Sequence, residues 1–390
     1  MTSPSSDAEP LYLDANATEP LRPQARAALI AALDLTGNPA SVHADGRAAR
    51  RCLEAARDVV AAHCGARAQD LVFCSGATEA NALAIHGFGA GRAVLIGATE
   101  HDAVRAAAPE ALKIPVDALG LVDLAWLDAA LAARPDALVC VMAANNETGV
   151  IAPIEAVGRI CAARGAMLHV DAVQAAGRVA GDYLACGAAS VALSAHKLGG
   201  PKGVGALAMT PLAAARLVGL IRGGGQERGR RGGTPDLPAI AGFAAAIEAV
   251  APDEAIRLGR LRDAIAAGAR ACGAVEVAAA AARLTNTVCL ALPGFAAETQ
   301  VIALDLDRIR VSAGAACSSG KVARSHVLDA MGLDDLAGCA IRVSLPWNAP
   351  DDAPARFLLA YRRLAARGLR NREGASNSRA TPAVVVAARV

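Results

Sequence analysis

A chain of 390 residues, 54% hydrophobic but only 3% aromatic, has material for two domains whose cores are built mostly from alanine, valine and leucine. Its 39 basic and 37 acidic residues are interspersed and leave a net charge of +2, which excludes a nucleic-acid footprint or a polybasic membrane anchor as the basis of function. No run reaches the ~18 uninterrupted apolar residues of a membrane span, and the polar start MTSPSSDAEP lacks the features of a targeting peptide, so a cytoplasmic protein is expected.

In chain order, LYLDANATEPL reads as a short strand running into a turn, and from about Pro23 the spacing of Ala and Leu is helical. Six apolar runs then follow: LVFCSG, AVLIGA, ALVCVMAANN, AMLHVDAV, SVALSAHK and GVGALAM. They alternate with Ala-rich helical stretches, the pattern of an α/β fold with a mainly parallel sheet covered on both faces. Several strands end in polar residues: Ser75, Asn145 and Asn146, Asp171, and Ser194 to Lys197. Ligands of open α/β sheets bind beyond the carboxyl ends of the strands, so these residues mark the expected site. From about residue 255 a helix, the strands TNTVCLALP and IRVSAGA, a further helix, AIRVSLPW and a last helix ending near Leu369 suggest a smaller α+β domain. The expected division is 15–254 for the large domain, 255–370 together with 1–14 for the small one, and 371–390 for a flexible tail.

The ten cysteines contain no C-x-x-C pair and the seven histidines no metal-binding spacing, so no metal site is expected and most cysteines read as small buried hydrophobes. Cys317 differs, because VSAGAACSSG surrounds it with glycine and serine. In SGATEANALAIHG, Ser75, Gly76 and Thr78 stand at a helix start, as an ordinary cap or as a phosphate cradle. In HVDAVQ, Asp171 ends an apolar strand, where a carboxylate needs a partner: an arginine, a capped helix, or a protonated ring nitrogen of a cofactor. Lys197, one of only four lysines, follows a strand in SAHKLGGPKGVGAL, and a second glycine-rich segment, GGGQERGRRGGTPD, lies downstream. A lysine, an aspartate and a phosphate site together describe pyridoxal phosphate binding.

Nine segments in order resemble the signatures of cysteine desulfurases of the iron–sulfur and nitrogen-fixation type, within the class-V aminotransferases. They are YLDANATEP, GNPASVHADG, FCSGATEANALAIHG, TEHDAV, NNETGV, HVDAVQ, SAHKLGGPKG, GGGQERGRRGGTPD and VSAGAACSSGKVARSHVL, spread over roughly residues 11 to 365. The resemblance implies the fold-type I architecture of pyridoxal phosphate enzymes, with a seven-stranded-type sheet, a smaller domain carrying the thiol loop, and a homodimer. It implies that Lys197 is the Schiff-base lysine, that Asp171 pairs the pyridine nitrogen, and that Asn146 and Gln174 reach the ring oxygen. Ala77, Thr78, Ser194 and His196 would hold the phosphate, with Thr234 given by the other subunit. His101 would stack on the ring and shuttle protons, and Asn38 and Arg342 would bind the carboxylate of L-cysteine. Cys317 would be the nucleophile that takes the sulfur as a persulfide and hands it to an acceptor, meeting an iron–sulfur cluster only on a scaffold partner. Glu19 stands where the family commonly has threonine, and Pro346 where it commonly has glycine. A selenocysteine lyase or an aminotransferase of the same class is the alternative reading.

Overall fold

The computed structural model describes residues 9–314 and 324–377, of which 367–377 by their backbone alone. After β1 (Leu11–Tyr12) comes a sheet of seven strands: β2 (Leu71–Cys74), β3 (Val94–Gly97), β4 (Leu112–Ile114), β5 (Leu138–Met142), β6 (Met167–Asp171), β7 (Ser190–Ser194) and β8 (Gly205–Met209). Their order is β2-β8-β7-β6-β5-β3-β4, and neighbours are parallel except at β8, which runs against both β2 and β7. The strands β2, β5, β7 and β8 are buried at every position, which explains their unbroken apolar runs. The sequence gives no expectation of β4, because its Leu112 and Lys113 are exposed at the sheet edge and interrupt the apolar pattern.

Eight helices accompany this sheet: α1 (Pro23–Leu33), α2 (Ala44–His63), α3 (Ala77–Gly89), α4 (Asp102–Arg105), α5 (Leu124–Ala132), α6 (Ile154–Arg164), α7 (Pro211–Arg216) and α8 (Leu237–Glu248). Leu53, Leu127, Val157 and Phe243 of α2, α5, α6 and α8 pack into one core; Leu83, Val104 and Ala213 of α3, α4 and α7 pack into another. The residue after α6, Gly165, adopts a left-handed cap (φ 72°), and the chain enters β6 two residues later. That tight return carries Asp171 to the strand end where the site forms.

The chain continues as α9 (Glu254–Arg270), β9 (Val275–Glu276), β10 (Thr287–Ala291), α10 (Ala297–Leu306), β11 (Ile309–Arg310), β12 (Ser312–Ala313), α11 (His326–Ala330), β13 (Ala340–Ser344) and α12 (Ala353–Asn377). Strands β12-β13-β10-β9 form an antiparallel sheet. Its core includes Leu258, Val288, Ile341 and Phe357, and the N-terminal Leu11 and Leu13 join it because β1 pairs in parallel with β11. IRVSAGA, read as one strand, is two: β11 pairs with β1 and β12 with β13. The last helix also runs past Leu369 to Asn377, so part of the stretch read as a tail is helical; residues 378–390 lie outside the described ones.

Candidate active site

A cavity of about 800 Å³ opens where β5, β6 and β7 end, lined there by Met142, Asp171 and Ser194 and from the smaller sheet's side by Gly314 and Arg342. Of the residues singled out from the sequence, Ala77, Thr78, His101, Asn146, Gln174, His196 and Lys197 also line it.

Asp171 is 7% exposed. Its Oδ1 accepts the Val173 amide at 3.0 Å and its Oδ2 accepts Asn81 Nδ2 at 2.7 Å. Burial pushes its carboxyl upward, while those two hydrogen bonds and the neighbouring His101 and Lys197 oppose the rise. Lys197 sits on a short 3₁₀ turn after β7, and its Nζ donates to the carbonyls of Asn16 (2.5 Å) and Ala17 (2.9 Å). Burial, reinforced by the guanidinium groups of Arg342 and Arg178, lowers its pKa to about 7. A large share of this amine is therefore neutral near neutral pH, which makes it a nucleophile and a proton acceptor.

Next to the lysine, α3 begins without any side chain capping its first turn, since its N-cap is Gly76. A Cβ at Gly76 would meet nothing within 4 Å, whereas one at Gly205 of β8 would come within 2.7 Å of the Gly76 Cα. The glycines thus let β8 abut the start of α3 and leave its amides open to the cavity, a cradle for an anion. Glu79 braces it by accepting the Ser75 amide (2.7 Å) and Arg231 Nε (2.9 Å). His196 meets Thr18 Oγ1 at 3.2 Å, and burial lowers its pKa to about 4, so the ring is neutral. His101 caps α4, its Nδ1 accepting the Ala103 amide at 3.1 Å, so Nε2 is the ring nitrogen left for the cavity.

Arg342 projects from β13. Its guanidinium donates to Asp14 Oδ1 (2.7 Å) and to the Asn146 carbonyl (3.1 Å), while Nε is buried without a hydrogen-bond partner among the described residues. A guanidinium lining the cavity, with its planar fork of donors, suits a carboxylate ligand. Gln174 Nε2 donates to the Asn16 carbonyl at 3.0 Å, so it shares that oxygen with Lys197. The donor set, with a buried carboxylate, a low-pKa lysine, an open helix start and an arginine, fits pyridoxal phosphate and an amino acid.

Two expected residues lie elsewhere in the single chain. Asn38 is exposed between α1 and α2 and does not line the cavity, because its Oδ1 is taken up by the Ala40 amide at 2.8 Å. Thr234 lines a separate cavity of about 140 Å³ on the other side of Ser75 and Gly203. Cys317 lies outside the described residues. The chain before it lines the cavity at Gly314, and the chain after it is anchored where Ser325 Oγ donates to Glu147 Oε2 at 2.5 Å.

Several contributors escape a reading by motif alone. Asn16 is 1% exposed and joins the two parts of the molecule: its Nδ2 donates to the Asn146 carbonyl and to Thr287 Oγ1, and its amide to Ser344 Oγ. Arg178 holds the Lys197 carbonyl (2.9 Å) and pairs with Glu19 (2.8 Å). Glu19 Oε2 in turn accepts the amide of Trp347, the residue after Pro346, at 3.2 Å. The signal for each was a polar residue beside an apolar run, too common to single out.

The family model described as aminotransferase class-V matches residues 11–352, and the chain belongs to that family. Among curated relatives, a cysteine desulfurase of Cereibacter sphaeroides is 41% identical over 86% of this chain and 91% of its own length. Another cysteine desulfurase, from a Frankia strain, is 42% identical over 83% of each chain. Among solved structures, a NifS-like protein from Rickettsia africae superposes with a TM-score of 0.85 at 31% identity, covering 92% of this chain and all of that one. A structure described as SspA in complex with cysteine reaches a TM-score of 0.77 at 28% identity, over 86% of this chain and 99% of that one.

Proposed function

We propose that the chain is a pyridoxal phosphate-dependent cysteine desulfurase that converts L-cysteine to L-alanine and passes the sulfur, as a persulfide on Cys317, to an acceptor of iron–sulfur or other sulfur-cofactor assembly. The observation that carries this reading is the meeting, in one cavity, of the buried Asp171 carboxylate, the low-pKa amine of Lys197 and the guanidinium side chain of Arg342. Its relatives and structural neighbours named as desulfurases and NifS-like proteins support it. Bound pyridoxal phosphate supplies an electron sink conjugated to the substrate's amine.

The chain's own residues divide the work. With pyridoxal phosphate bound, Asp171 would hold a proton on the ring nitrogen, the first amides of α3 with Thr78, Ser194 and His196 would take the phosphate, and Asn146 and Gln174 would reach the ring oxygen. Lys197 anchors the cofactor and then, with Nζ neutral, accepts the substrate's α-proton. Arg342 takes the substrate carboxylate and sets the Cα–H bond towards Lys197. His101, which lines the same cavity, would cover the ring and return a proton to the product. The Cys317 thiolate attacks the substrate sulfur: an S–S bond forms, the C–S bond breaks, and the β-carbon is reduced as the thiolate sulfur is oxidised. After that carbon gains a proton the products are alanine and an enzyme persulfide, whose outer sulfur an acceptor thiol can remove.

The chain is further expected to act in the cytoplasm as a homodimer, in which Thr234 reaches the partner's phosphate. The test is steady-state sulfide release from L-cysteine in the presence of a thiol reductant, with alanine counted alongside. Alanine and sulfide in equal amounts, lost in Cys317→Ser and Lys197→Ala, are expected. Undiminished sulfide from Cys317→Ser would defeat the desulfurase reading and favour another class-V activity.

A further inference from the structure

Three side chains with no solvent exposure, Asn81, His169 and Ser190, form a line that ends on Asp171. His169 and Asp171 stand two apart on β6, so both face the same side of the sheet, where α3 presents Asn81. Ser190 is the residue of β7 in register with His169. The contacts are short throughout: Asn81 Nδ2 to Asp171 Oδ2 at 2.7 Å, His169 Nε2 to Asn81 Oδ1 at 2.8 Å, and His169 Nδ1 to Ser190 Oγ at 2.8 Å. A histidine with no solvent exposure is costly in a strand unless its ring nitrogens are fully satisfied.

With Asp171 ionised, the hydrogens of this line have one consistent arrangement. Asn81 turns its amide nitrogen to Asp171, so its oxygen faces His169 and requires a proton on Nε2. Burial lowers the His169 pKa to about 4, so the ring is neutral and Nδ1 must accept, which it does from the Ser190 hydroxyl. Every donor thus points towards Asp171, and the Val173 amide supplies another to its second oxygen. A protonated Asp171 would reverse the line from end to end, because its own O–H would need the oxygen of Asn81.

We propose that Asn81, His169 and Ser190 are positioning residues that keep the Asp171 carboxylate ionised and fixed in orientation, and so set how firmly the cofactor's ring nitrogen stays protonated. The inference deepens the reading given above and rests on Asp171 being the partner of that nitrogen. It assigns the buried polar line a function beyond packing, since a purely structural chain of hydrogen bonds would not report on the ring.

The test uses the full chain reconstituted with pyridoxal phosphate carrying ¹⁵N in the ring. The ¹⁵N shift reads the protonation of the nitrogen, and equilibrium dialysis reads cofactor affinity. Asn81→Ala is expected to move the signal towards the unprotonated ring and to weaken cofactor binding roughly tenfold or more, the loss of one hydrogen bond to a charged group. Ser190→Ala, which removes a single oxygen and keeps the fold, is expected to shift the signal the same way by less. In an Asp171→Ala background neither substitution is expected to change either reading. Unchanged shifts in both single variants, or equal losses with and without Asp171, would overturn the relay. An Asp171→Ala chain that leaves the ring signal where it was would instead remove the reading beneath it.

Discussion

Glu227 offers a perturbation whose size can be worked from the structure. It lies in the glycine-rich segment with a left-handed backbone (φ 47°), and Arg228 follows at φ 59°. Its two carboxylate oxygens each accept an Arg57 guanidinium nitrogen at 2.7 Å, and Oε2 also accepts the Phe73 amide at 2.9 Å. The two side chains are only 6% and 4% exposed, and the guanidinium lies over the Phe73 ring, 4.9 Å from its centre. Glu227→Gln keeps the shape and removes the charge. Leaving one member of a buried pair uncompensated costs about 3–5 kcal/mol, and the low end applies because Glu54 remains beside Arg57. With an unfolding entropy near ~0.8 kcal/mol per kelvin for a chain of 390 residues, a loss of about 3 kcal/mol lowers the melting temperature by ~4 °C. Phe73 stands two residues before Ser75, so the cradle at the start of α3 loosens too, and weaker cofactor retention is expected alongside. Calorimetry and dialysis of Glu227→Gln against the parent measure both. A variant that melts within ~1 °C of the parent would refute the view that this pair holds the segment in place.

Other outcomes follow from the same contacts. Because burial and two guanidinium groups lower Lys197 to about 7, capture of pyridoxal phosphate by the apo chain is expected to quicken as pH rises to 7 and to level off above it; a rate still climbing towards the ordinary lysine value would contradict this. The same shift means that the unfolded chain binds the extra proton between about 7 and 10.5, so Lys197 adds stability to the apo chain as pH rises through that window. A melting series on the parent and Lys197→Met isolates that contribution, and no pH-dependent difference between them would count against it. Arg342→Lys keeps the charge but loses the planar fork, and should raise the KM for L-cysteine roughly tenfold while changing kcat less. Phe243→Ala empties a side chain with no exposure in the main core and should cost about 3–5 kcal/mol, read from the denaturation midpoint.

The parts of this molecule that the sequence announces are those where one physical requirement dominates. Burial on both faces demands unbroken apolar runs, so β2 and β5 to β8 are visible as strings, whereas β4 is hidden by an edge leucine and lysine that face solvent. Chemistry demands particular residue types at strand ends, so Asp171, Lys197 and the start of α3 stand out before any fold is known. What stays hidden depends on tertiary meeting. Asn16 holds Lys197 through a backbone carbonyl, which any residue possesses, and nothing in its own letter marks it. Arg178 and Glu19 are 159 positions apart, and their pairing explains why an unusual glutamate is tolerated beside the lysine. His169 is written inside the very motif that ends in Asp171, yet only the neighbouring strand and α3 reveal that its ring is tied to Ser190 and Asn81. Asn38, placed by motif, is found in the single chain with its Oδ1 accepting the Ala40 amide of its own turn.

The central claim is that sulfur leaves L-cysteine onto one thiol of this chain. A single turnover with L-cysteine and no acceptor, stopped with an alkylating agent and digested, measures it directly. The account expects the peptide containing Cys317 to be one sulfur atom heavier, one alanine per site, and no such mass on Cys52, Cys186 or Cys272, the half-buried thiols. Alanine formed without extra sulfur on Cys317, or sulfur found on another cysteine, would contradict it.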